Sequence, residues 1–313
     1  MTRPSQALPV GPEDLGRRLD RFLAEHLQLS RSQVRRLLER GAVSIEGRKL
    51  PPAAKGWNVR EGSVVEVAPF ERPGHEQAIP DANLSLSVLS SGSGWLAIDK
   101  PAGVPVHPLR ADETGTLLNR LVAQFPEIQG VGEGGLRSGV VHRLDVDTSG
   151  ALLFATHEEV WQRLRSAFAK HRVDKRYRAL VRGRLQGQDS LEVGLVTARH
   201  RPARVRVVDG EELRRARGVR MSSLRWRSLQ LFDDATLLEV RPRTGFLHQI
   251  RVSLAHLGFP VLGDRTYGSA SDRAAETRQM LHAQRIQLDE IEAVSPIPAD
   301  FRKTLERLDG QVA

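Results

Sequence analysis

Short apolar runs separated by turn residues dominate residues 84–313, and no other feature restricts the fold of this chain more. Each run has about five residues and is rich in β-branched, aliphatic or aromatic side chains: Trp95 to Ile98, Val140 to Leu144, Ala151 to Ala155, Tyr177 to Val181 and Thr236 to Val240. Runs of this length predict buried strands. The clearest helical pattern is Glu158 to Lys170. Because strands and helices do not alternate regularly, the sequence predicts an α+β fold with a mostly antiparallel sheet.

The chain is expected to divide into four parts. Residues 1–13 are predicted to be a flexible tail, residues 14–69 a small α/β domain, residues 70–83 a linker and residues 84–313 the large domain. The linker is placed by its proline and glycine residues, which occur there without any apolar period.

Helices and short strands are predicted in the small domain. The first helix is indicated by apolar residues three and four positions apart, namely Leu19, Phe22, Leu23 and Leu27. The second spans Arg31 to Arg40, with Ser30 as its N-cap and Gly41 at its end. Short strands are expected around residues 43–45 and 63–67.

Composition restricts the class of protein. The chain has no cysteine, so disulfides, thiolate nucleophiles and cysteine-based zinc sites are excluded. No apolar run approaches the roughly 18 residues that span a bilayer, and the first residues lack the apolar core of a signal peptide. We therefore expect a soluble cytoplasmic protein that does not associate with membranes. The net charge of +9, with 41 arginines among 47 basic residues, favours nucleic acid as the partner over a generically basic surface.

One segment places an aspartate at a corner suited to chemistry. In residues 139–156, GVVHRLDVDTSGALLFAT, Asp145 follows an apolar run and precedes a tight turn. Such a carboxylate can be a nucleophile, a general base or a metal ligand, or it can simply cap the turn. A metal site with His142, His248 and Asp147 is disfavoured, because His142 and Asp145 would point to opposite faces of a strand. We therefore expect no bound metal.

Basic side chains cluster in the small domain. The second helix and the turn that follows it carry Arg31, Arg35, Arg36, Arg40, Arg48 and Lys49. Such a cluster suits contacts to phosphates that position an RNA without reading its sequence. A solvated helix face is the alternative interpretation of the helical members.

The small domain resembles a known RNA-binding module. Residues 16–50, GRRLDRFLAEHLQLSRSQVRRLLERGAVSIEGRKL, and residues 59–68, VREGSVVEVA, contain the blocks LSRSQV, RGAVSIEG and REGSVVEV in order. Over about 55 residues they resemble the RNA-binding domain named after ribosomal protein S-four. The resemblance implies that RNA is the partner and that the six basic residues belong to the RNA-binding surface.

The large domain contains five further blocks in a fixed order. They are IDKPAGVPVHP at residues 98–108, SGVVHRLDVDTSGALLFAT at 138–156, DKRYRALVRG at 174–183, TGFLHQIRVSLAHLGFPVLGDRTYG at 244–268 and MLHAQRIQL at 280–288. Together they resemble the RluA-type pseudouridine synthases, whose core motif is HRLD. The resemblance implies a mixed, mostly antiparallel central sheet with flanking helices and an active cleft across one face. It also implies an enzyme that isomerises uridine in RNA and requires no cofactor.

The resemblance assigns roles to individual residues. It implies that Asp145 is the catalytic aspartate, Tyr177 the active-site tyrosine and Arg251 the basic partner of the aspartate. The residues expected to bind substrate are His142, Arg143, His248, Gln249 and Leu281. Within this set, Arg143 is implied to help displace the target base and Leu281 to line the base pocket.

Two of these residues also have ordinary structural explanations. An isolated tyrosine in a strand is more often a core residue with a satisfied hydroxyl, and Arg251 considered alone resembles a surface arginine. The position of Tyr177, one helix and one strand after Asp145, favours the functional interpretation.

Two departures from the family pattern concern the expected cleft. Phe246 stands where the family usually has an arginine after Thr-Gly, and Ser253 where a histidine usually follows the HQIRV run. We expect both to shape the RNA-facing cleft and to affect substrate choice more than chemistry. The expected substrate is large-subunit ribosomal RNA, with no obligate protein partner. The alternatives are a tRNA-directed synthase and a catalytically silent RNA-binding factor in ribosome assembly.

Overall fold

The computed structural model describes residues 2–29, 31–71, 76–83, 85–200, 202–270 and 276–310. The description does not extend to the side chains of Thr2, Arg31, Ser32, Glu71 and His200. The chain divides into two compact units, Met1–Gln77 and Ala78–Ala313. The boundary between them falls inside residues 70–83, the stretch where a linker is expected.

The first unit packs helices against a small sheet. Its elements are β1 (Thr2–Arg3), β2 (Gln6–Pro9), α1 (Leu19–Leu27), α2 (Arg31–Glu39), β3 (Val43–Ile45), β4 (Arg48–Lys49), β5 (Val64–Val67) and β6 (Phe70–Glu71). The sheet has the order β2-β5-β3-β4, and β1 pairs with β6. Phe22 and Leu37 from the two helices pack with Val65 of the sheet in one apolar cluster. Both predicted helices are confirmed, whereas the proposed N-cap, Ser30, lies outside the described residues.

The expected tail and linker are more ordered than the sequence predicts. Strand β2 is antiparallel to β5, and Val10 is buried, with its N–H donating to the carbonyl of Ser63 at 2.9 Å. Near the other boundary, Phe70 is buried and the Ile79 carbonyl accepts a hydrogen bond of 2.8 Å from Asn119. Segments of two to four residues carry too little periodicity to be recognised as strands. Strand β2 forms here because it pairs with the edge of β5, which would otherwise be open.

The second unit is built on one large sheet. Its elements are β7 (Ser87–Gly92), β8 (Trp95–Lys100), α3 (Leu117–Gln124), β9 (Ser149–Ala155), α4 (Glu158–Ala169), β10 (Asp174–Arg182), β11 (Gln188–His200), β12 (Ala203–Val208), α5 (Gly210–Arg215), β13 (Arg220–Leu231), β14 (Ala235–Pro242), α6 (Gln249–His256), β15 (Leu281–Leu288), β16 (Ile291–Val294) and α7 (Ala299–Asp309). None of the helices in the described ranges is long and apolar enough to cross a membrane.

The sheet is mixed and mostly antiparallel, as predicted. Its strand order is β12-β11-β13-β14-β10-β15-β9-β8-β7, with β16 paired to β15. The pairing of β15 with β9 is parallel, through His282↔Ser149 and Ala283↔Gly150. Gly150 has a φ of +118°, and a Cβ added there would lie 2.2 Å from the Ala283 carbonyl oxygen. This junction therefore requires glycine.

The two faces of the large sheet are covered differently. On one face, Leu118 of α3 and Leu254 of α6 pack in the apolar cluster that includes Val240 of β14. On the opposite face, Phe301 of α7 packs in a cluster with Leu180 of β10. We call the first the cleft face and the second the back face.

The predicted strand at residues 140–144 is wrong, although the other four strands and helix α4 are confirmed. Val140 makes only an isolated bridge. Side chains of α4 donate hydrogen bonds to the carbonyl groups that would otherwise pair with a neighbouring strand. Trp161 donates to the carbonyl of Val140 at 3.1 Å and Arg165 to that of Val141 at 2.9 Å. The segment before Asp145 is therefore extended and held by a helix rather than by strand pairing.

Candidate active site

A cleft of about 830 Å³ opens on the cleft face of the large sheet. Its lining comes from the loop before β9, from α4 and β10, from the loop before α6, and from α6 and β15. The lining includes His142, Arg143, Asp145, Tyr177, His248, Gln249, Arg251 and Leu281. The fold therefore gathers around one cavity all the residues that the sequence assigns to catalysis or substrate binding in the large domain.

The Asp145 carboxylate is held from one side. Its Oδ2 accepts a hydrogen bond from Nη1 of Arg251 at 2.9 Å. The Asp145 side chain is 21% exposed, whereas that of Arg251 is 7% exposed. No hydrogen-bond partner for Oδ1 is found among the residues that the structure describes. The carboxylate is thus oriented through one oxygen and open to the cleft through the other.

Arg251 is fixed in turn by a second carboxylate. The fully buried Asp264 accepts hydrogen bonds from Nε and Nη2 of Arg251 at 2.6 and 2.8 Å. The Asp264 carboxylate also accepts the backbone N–H groups of Thr266 and Tyr267. Burial opposes the charge on Arg251, but Asp264 and Asp145 raise its pKa above the ordinary value. Arg251 is therefore a permanent cation bridging two carboxylates.

Two basic residues that sequence reasoning missed hold the turn after Asp145. Lys100 is fully buried, and its Nζ donates to three backbone carbonyls at 2.7–2.8 Å, including that of Val146. Burial lowers the pKa of Lys100 to about 7. Arg278 donates from Nη1 to the carbonyl of Asp147 at 3.1 Å. Because the acceptors in the turn are backbone atoms, no side-chain pattern identifies these contacts. The one sequence feature that marked Lys100 is its place in the block IDKPAGVPVHP at residues 98–108.

Tyr177 and Leu281 form an apolar wall of the cleft. They lie on the neighbouring strands β10 and β15, are 9% and 3% exposed, and share an apolar cluster with Leu144 and Ile250. Burial, reinforced by the charge of Asp145, raises the pKa of Tyr177 above its ordinary value, so the phenol stays protonated. A flat wall of this kind suits an aromatic base.

His142 and Arg143 are adjacent but differ in their surroundings. Arg143 is exposed, and its side chain has no ion pair or hydrogen bond within the described part of the chain. The Nε2 atom of His142 accepts the N–H of Leu153 at 3.0 Å, and the ring stacks on Phe168 at 4.5 Å. Burial and two nearby cations lower the pKa of His142 to about 3. His142 is thus a neutral residue that supports the loop, while Arg143 faces the opening of the cleft.

His248 and Gln249 shape the loop before α6. The Oε1 atom of Gln249 accepts the hydroxyl of Thr244 and a backbone N–H, both at 2.9 Å, and its Nε2 donates to the carbonyl of Ser223 at 3.1 Å. His248 has a left-handed φ of 54°, and its Nδ1 shares a hydrogen bond of 2.9 Å with the hydroxyl of Tyr267. Both side chains line the cleft, but their hydrogen bonds are made within the protein.

The two departures from the family pattern lie at different depths. Phe246 lines the cleft and packs with Val252. Ser253 is fully buried, and its hydroxyl has no hydrogen-bond partner among the described residues. The expectation that both shape the cleft therefore holds for Phe246 and is wrong for Ser253, because the Ser253 side chain is buried in the protein interior.

In the first unit, helix α2 presents a basic surface that is partly neutralised. Arg35 donates to Glu39 at 2.9 Å. Glu76 accepts a hydrogen bond from Arg40 and lies 3.8 Å from Arg36. Each of the three arginine side chains remains at least 41% exposed. The helix therefore keeps guanidinium groups accessible to solvent.

The other predicted RNA-binding residues extend this surface. Arg48 and Lys49 are both exposed on β4, and the Lys49 side chain lies near Gly41 at the end of α2. The side chain of Arg31 lies outside the described part of the structure.

The cleft offers several chemical groups. They include one open carboxylate oxygen, a fixed guanidinium, a protonated phenol and an exposed guanidinium. In the described ranges, no group of three or more histidine, aspartate or glutamate side chains is placed to hold a metal ion. A carboxylate in this setting can attack an electrophilic carbon or remove a proton, while the phenol can assist proton transfer.

Comparisons with known proteins agree with these observations. The chain matches the family model of RNA pseudouridylate synthases over residues 94–256 and that of the S4 domain over residues 17–64. It is 37% identical over 312 residues to an uncharacterized RNA pseudouridine synthase of Chloroflexus aurantiacus, covering 97% of this chain and 94% of that one. It is 32% identical over 313 residues to the ribosomal large subunit pseudouridine synthase D of Nitrosomonas europaea, covering 95% and 86% of the two chains.

A solved structure shares the fold of the second unit. Human RNA pseudouridylate synthase domain containing 1 has a TM-score of 0.56 and 24% identity, covering 74% of this chain and 97% of that chain. The family match spans more than half of the chain and includes the HRLD block that supplies Asp145. The chain therefore belongs to the RNA pseudouridylate synthase family of isomerases, in its RluA-type branch, and carries an S4 domain ahead of the catalytic region.

Proposed function

We propose that this protein converts specific uridines of large-subunit ribosomal RNA to pseudouridine, with Asp145 as the catalytic carboxylate. The geometry of Asp145 carries the proposal, since one of its oxygens is bound to Arg251 and the other is open to a cleft of about 830 Å³. A cavity of that size falls within the range of about 300–1,000 Å³ that holds small organic ligands. A single nucleotide extruded from its RNA strand fits this description.

The reaction is an isomerisation with a closed balance of atoms. The bond between ribose C1′ and uracil N1 breaks, the uracil turns within the cleft, and C5 bonds to C1′. The proton on C5 is lost, and N1 gains one. No oxidant, reductant or second substrate is needed, so we propose that the enzyme works without a cofactor.

The surroundings of Asp145 suggest a role for each neighbour. Arg251 stabilises the carboxylate and fixes its direction. Tyr177 places its ring beside the uracil and keeps its phenolic proton, which can be donated as a hydrogen bond. Leu281 completes the apolar wall. Arg143 at the opening can stack between bases and fill the gap left by the extruded uridine.

Two observations favour large-subunit ribosomal RNA as the substrate. A relative at 32% identity is named a ribosomal large subunit pseudouridine synthase, and the chain carries an S4 domain. Because ribosomal RNA is a cytoplasmic substrate, we also propose a cytoplasmic location. No protein partner is needed for the chemistry. A tRNA-directed enzyme and a silent binding factor are outcomes that the experiment below separates from this proposal.

Tritium release tests the proposed activity directly. Purified protein is incubated with [5-³H]uridine-labelled large-subunit ribosomal RNA, small-subunit ribosomal RNA and total tRNA, each transcribed without modification. We expect release from the large-subunit RNA alone, since forming the C5 glycosidic bond expels the C5 hydrogen. Release from tRNA alone would identify a tRNA enzyme. Stable binding to RNA without release would identify a silent factor.

A prediction concerns the basic helix α2. Replacing Arg35 and Arg36 with alanine is expected to weaken RNA affinity and to flatten its salt dependence by about one unit of slope per lost phosphate contact. The measurement is the dissociation constant across a series of salt concentrations. The control is Arg21→Ala with Arg60→Ala, two exposed arginines of the same unit. If both double variants keep the wild-type slope, α2 does not contact RNA.

A second prediction concerns Lys175, which lies two residues before Tyr177 on β10 and lines the cleft. Its Nζ donates to the carbonyl of Thr244 at 2.9 Å, and burial lowers its pKa to about 8. The amine is therefore charged below pH 8 and neutral above it. Because the substrate is a polyanion, we expect kcat/KM to fall as the pH rises through about 8.

The matched control for this pH dependence is Lys175→Arg, whose guanidinium stays charged throughout the range. For each protein, kcat/KM is expressed relative to its own value at pH 7. As the pH approaches 9, we expect this relative kcat/KM to stay higher for Lys175→Arg than for the wild type. This comparison removes any contribution from the deprotonation of uridine, which both proteins share. Identical pH profiles would show that Lys175 does not act through its charge.

A further inference from the structure

The back face of the large sheet carries a cluster of arginines that the catalytic mechanism does not use. The cluster lies beyond the area covered by α7 and occupies four neighbouring strands, β13, β14, β10 and β15. We call its members the back-face arginines: Arg176, Arg178, Arg225, Arg227, Arg241 and Arg285. In these strands they alternate with residues such as Tyr177, Val240 and Trp226 that face the cleft side.

The cluster is held together by one carboxylate. Glu239 of β14 is 3% exposed and lies 2.8 Å from Arg178, 3.2 Å from Arg227 and 2.8 Å from Arg241. Although burial opposes its charge, hydrogen bonds from Arg178 and Arg241 lower the pKa of Glu239 to about 2. One permanent negative charge therefore sits among three permanent positive charges.

The remaining members are also incompletely neutralised. Arg176 pairs with Asp174 at 3.0 Å, and Arg285 with Glu292 at 2.8 Å. Arg225 is exposed and has no ion pair within the described residues. Six arginines thus face three carboxylates, which leaves a local excess of positive charge.

The strand register places like charges directly opposite each other. Arg225 is the register partner of Arg241, and Arg176 is that of Arg285. Like charges at directly opposed positions destabilise a sheet. Folding therefore gains nothing from these pairs, and a polyanion bound across the strands would relieve their repulsion.

The spacing of the cluster suits a phosphate backbone. Neighbouring strands lie about 4.8 Å apart and alternate residues about 6.7 Å apart along a strand, so the arginines form a two-row grid roughly 14 Å wide. Nucleic acids carry closely and regularly spaced negative charges. Guanidinium groups bind phosphates through two parallel hydrogen bonds and keep free N–H groups when they also touch a carboxylate.

We propose that the back-face arginines form a second RNA-binding surface, which takes the phosphate backbone of the substrate RNA without reading its sequence. This inference rests on the proposed function only in taking RNA as the substrate. A long RNA would then contact both faces of the large sheet, with the target uridine in the cleft and a remote segment on the back face.

Salt-dependent binding tests this surface. The main variant combines Arg176→Gln, Arg225→Gln and Arg227→Gln, which leaves Glu239 paired with Arg178 and Arg241. The control combines Arg163→Gln, Arg172→Gln and Arg302→Gln, which are exposed arginines elsewhere in the same unit. Both variants lose the same net charge. Both also carry Asp145→Asn, so that binding is measured without turnover, and thermal unfolding confirms that each is folded.

The probe is a fluorescent 30-nucleotide poly(U) strand, measured by anisotropy from low to high salt. We expect the main variant to lower the slope of log K against log salt by about 2, because each lost phosphate contact on single-stranded RNA removes about 0.7. The control variant should keep a slope close to that of the parent. If the main variant does not fold, Arg225→Gln alone should lower the slope by about 0.7.

Equal slopes for the main and control variants would overturn the proposal. The main variant is also tested for binding to phosphatidylserine vesicles. If it binds RNA normally but no longer binds the vesicles, the proposal is overturned in favour of a membrane surface. The result is independent of the proposed activity. Absence of tritium release would contradict the proposed function and leave the back-face measurement intact, whereas an unchanged slope with normal release would remove only the second surface.

Discussion

Asp145→Asn is expected to reduce turnover by on the order of 10⁴-fold or more, the scale seen when a central catalytic group is removed. Asparagine fills the same space and can still accept the hydrogen bond of 2.9 Å from Arg251. It cannot act as a nucleophile or accept a proton at neutral pH. RNA affinity and thermal stability should therefore stay close to those of the wild type. Single-turnover tritium release and equilibrium RNA binding measure the two effects separately.

The matched control is Asp147→Asn, which makes the same chemical change two residues later at an exposed position. We expect near-normal turnover, because the turn is anchored through the backbone carbonyl of Asp147 rather than through its carboxylate. Asp145→Ala should behave like Asp145→Asn and cannot revert by deamidation. Substantial turnover by Asp145→Ala would rule out the proposed role of this carboxylate.

Arg251→Met is expected to damage both stability and activity. It leaves Asp264, which is fully buried, without its cationic partner. Breaking a buried ion pair from one side costs about 3–5 kcal/mol. It also frees the Asp145 carboxylate from its fixed direction, and misplacement of a reacting group by about 1 Å can reduce the rate by about 10²-fold. Chemical denaturation and single-turnover kinetics provide the two readouts.

The double variant Arg251→Met/Asp264→Asn separates these effects. The double variant no longer buries an unpaired carboxylate charge, so most of the lost free energy of unfolding should return. The backbone N–H groups of Thr266 and Tyr267 both donate to Oδ1 of Asp264, so the amide oxygen of an asparagine can still accept them. Activity should stay low, because Asp145 still lacks its partner. Recovery of activity along with stability would mean that Arg251 supports the fold and has no role in orienting the carboxylate.

Local patterns in the sequence predicted the elements that are long and strongly periodic. Helix α4 and strands β8, β9, β10 and β14 follow from apolar spacing, because their side chains pack on a regular surface. The short strand β2 was missed, since four residues carry too little pattern and its pairing partner lies more than fifty positions away. Residues 140–144 were predicted wrongly although their pattern is clear. Their β-branched run is typical of a strand, but α4 takes their carbonyl groups.

The candidate site was predicted by resemblance and not by pattern. Composition and spacing left the role of Asp145 open, and Arg251 is 106 positions away from it. Lys100 and Arg278 were missed because they contact backbone carbonyls of the turn, which any sequence possesses. His142 and Gln249 line the cleft as predicted, but their side chains make hydrogen bonds within the protein. Residue type alone does not indicate those bonds. Ser253 was misplaced because burial depends on tertiary packing.

The position of β15 in the large sheet makes completion of the candidate site a late event in synthesis. Strand β15 lies between β9 and β10, yet it starts only at Leu281. In the folded protein, β15 is the strand that joins β7 to β9 with β10 to β14, and the first group adjoins Asp145 while the second carries Tyr177. Domains begin to fold from the N-terminal end during translation, and distant pairings form slowly. We therefore expect the first unit to fold well before the sheet that carries the candidate site is complete.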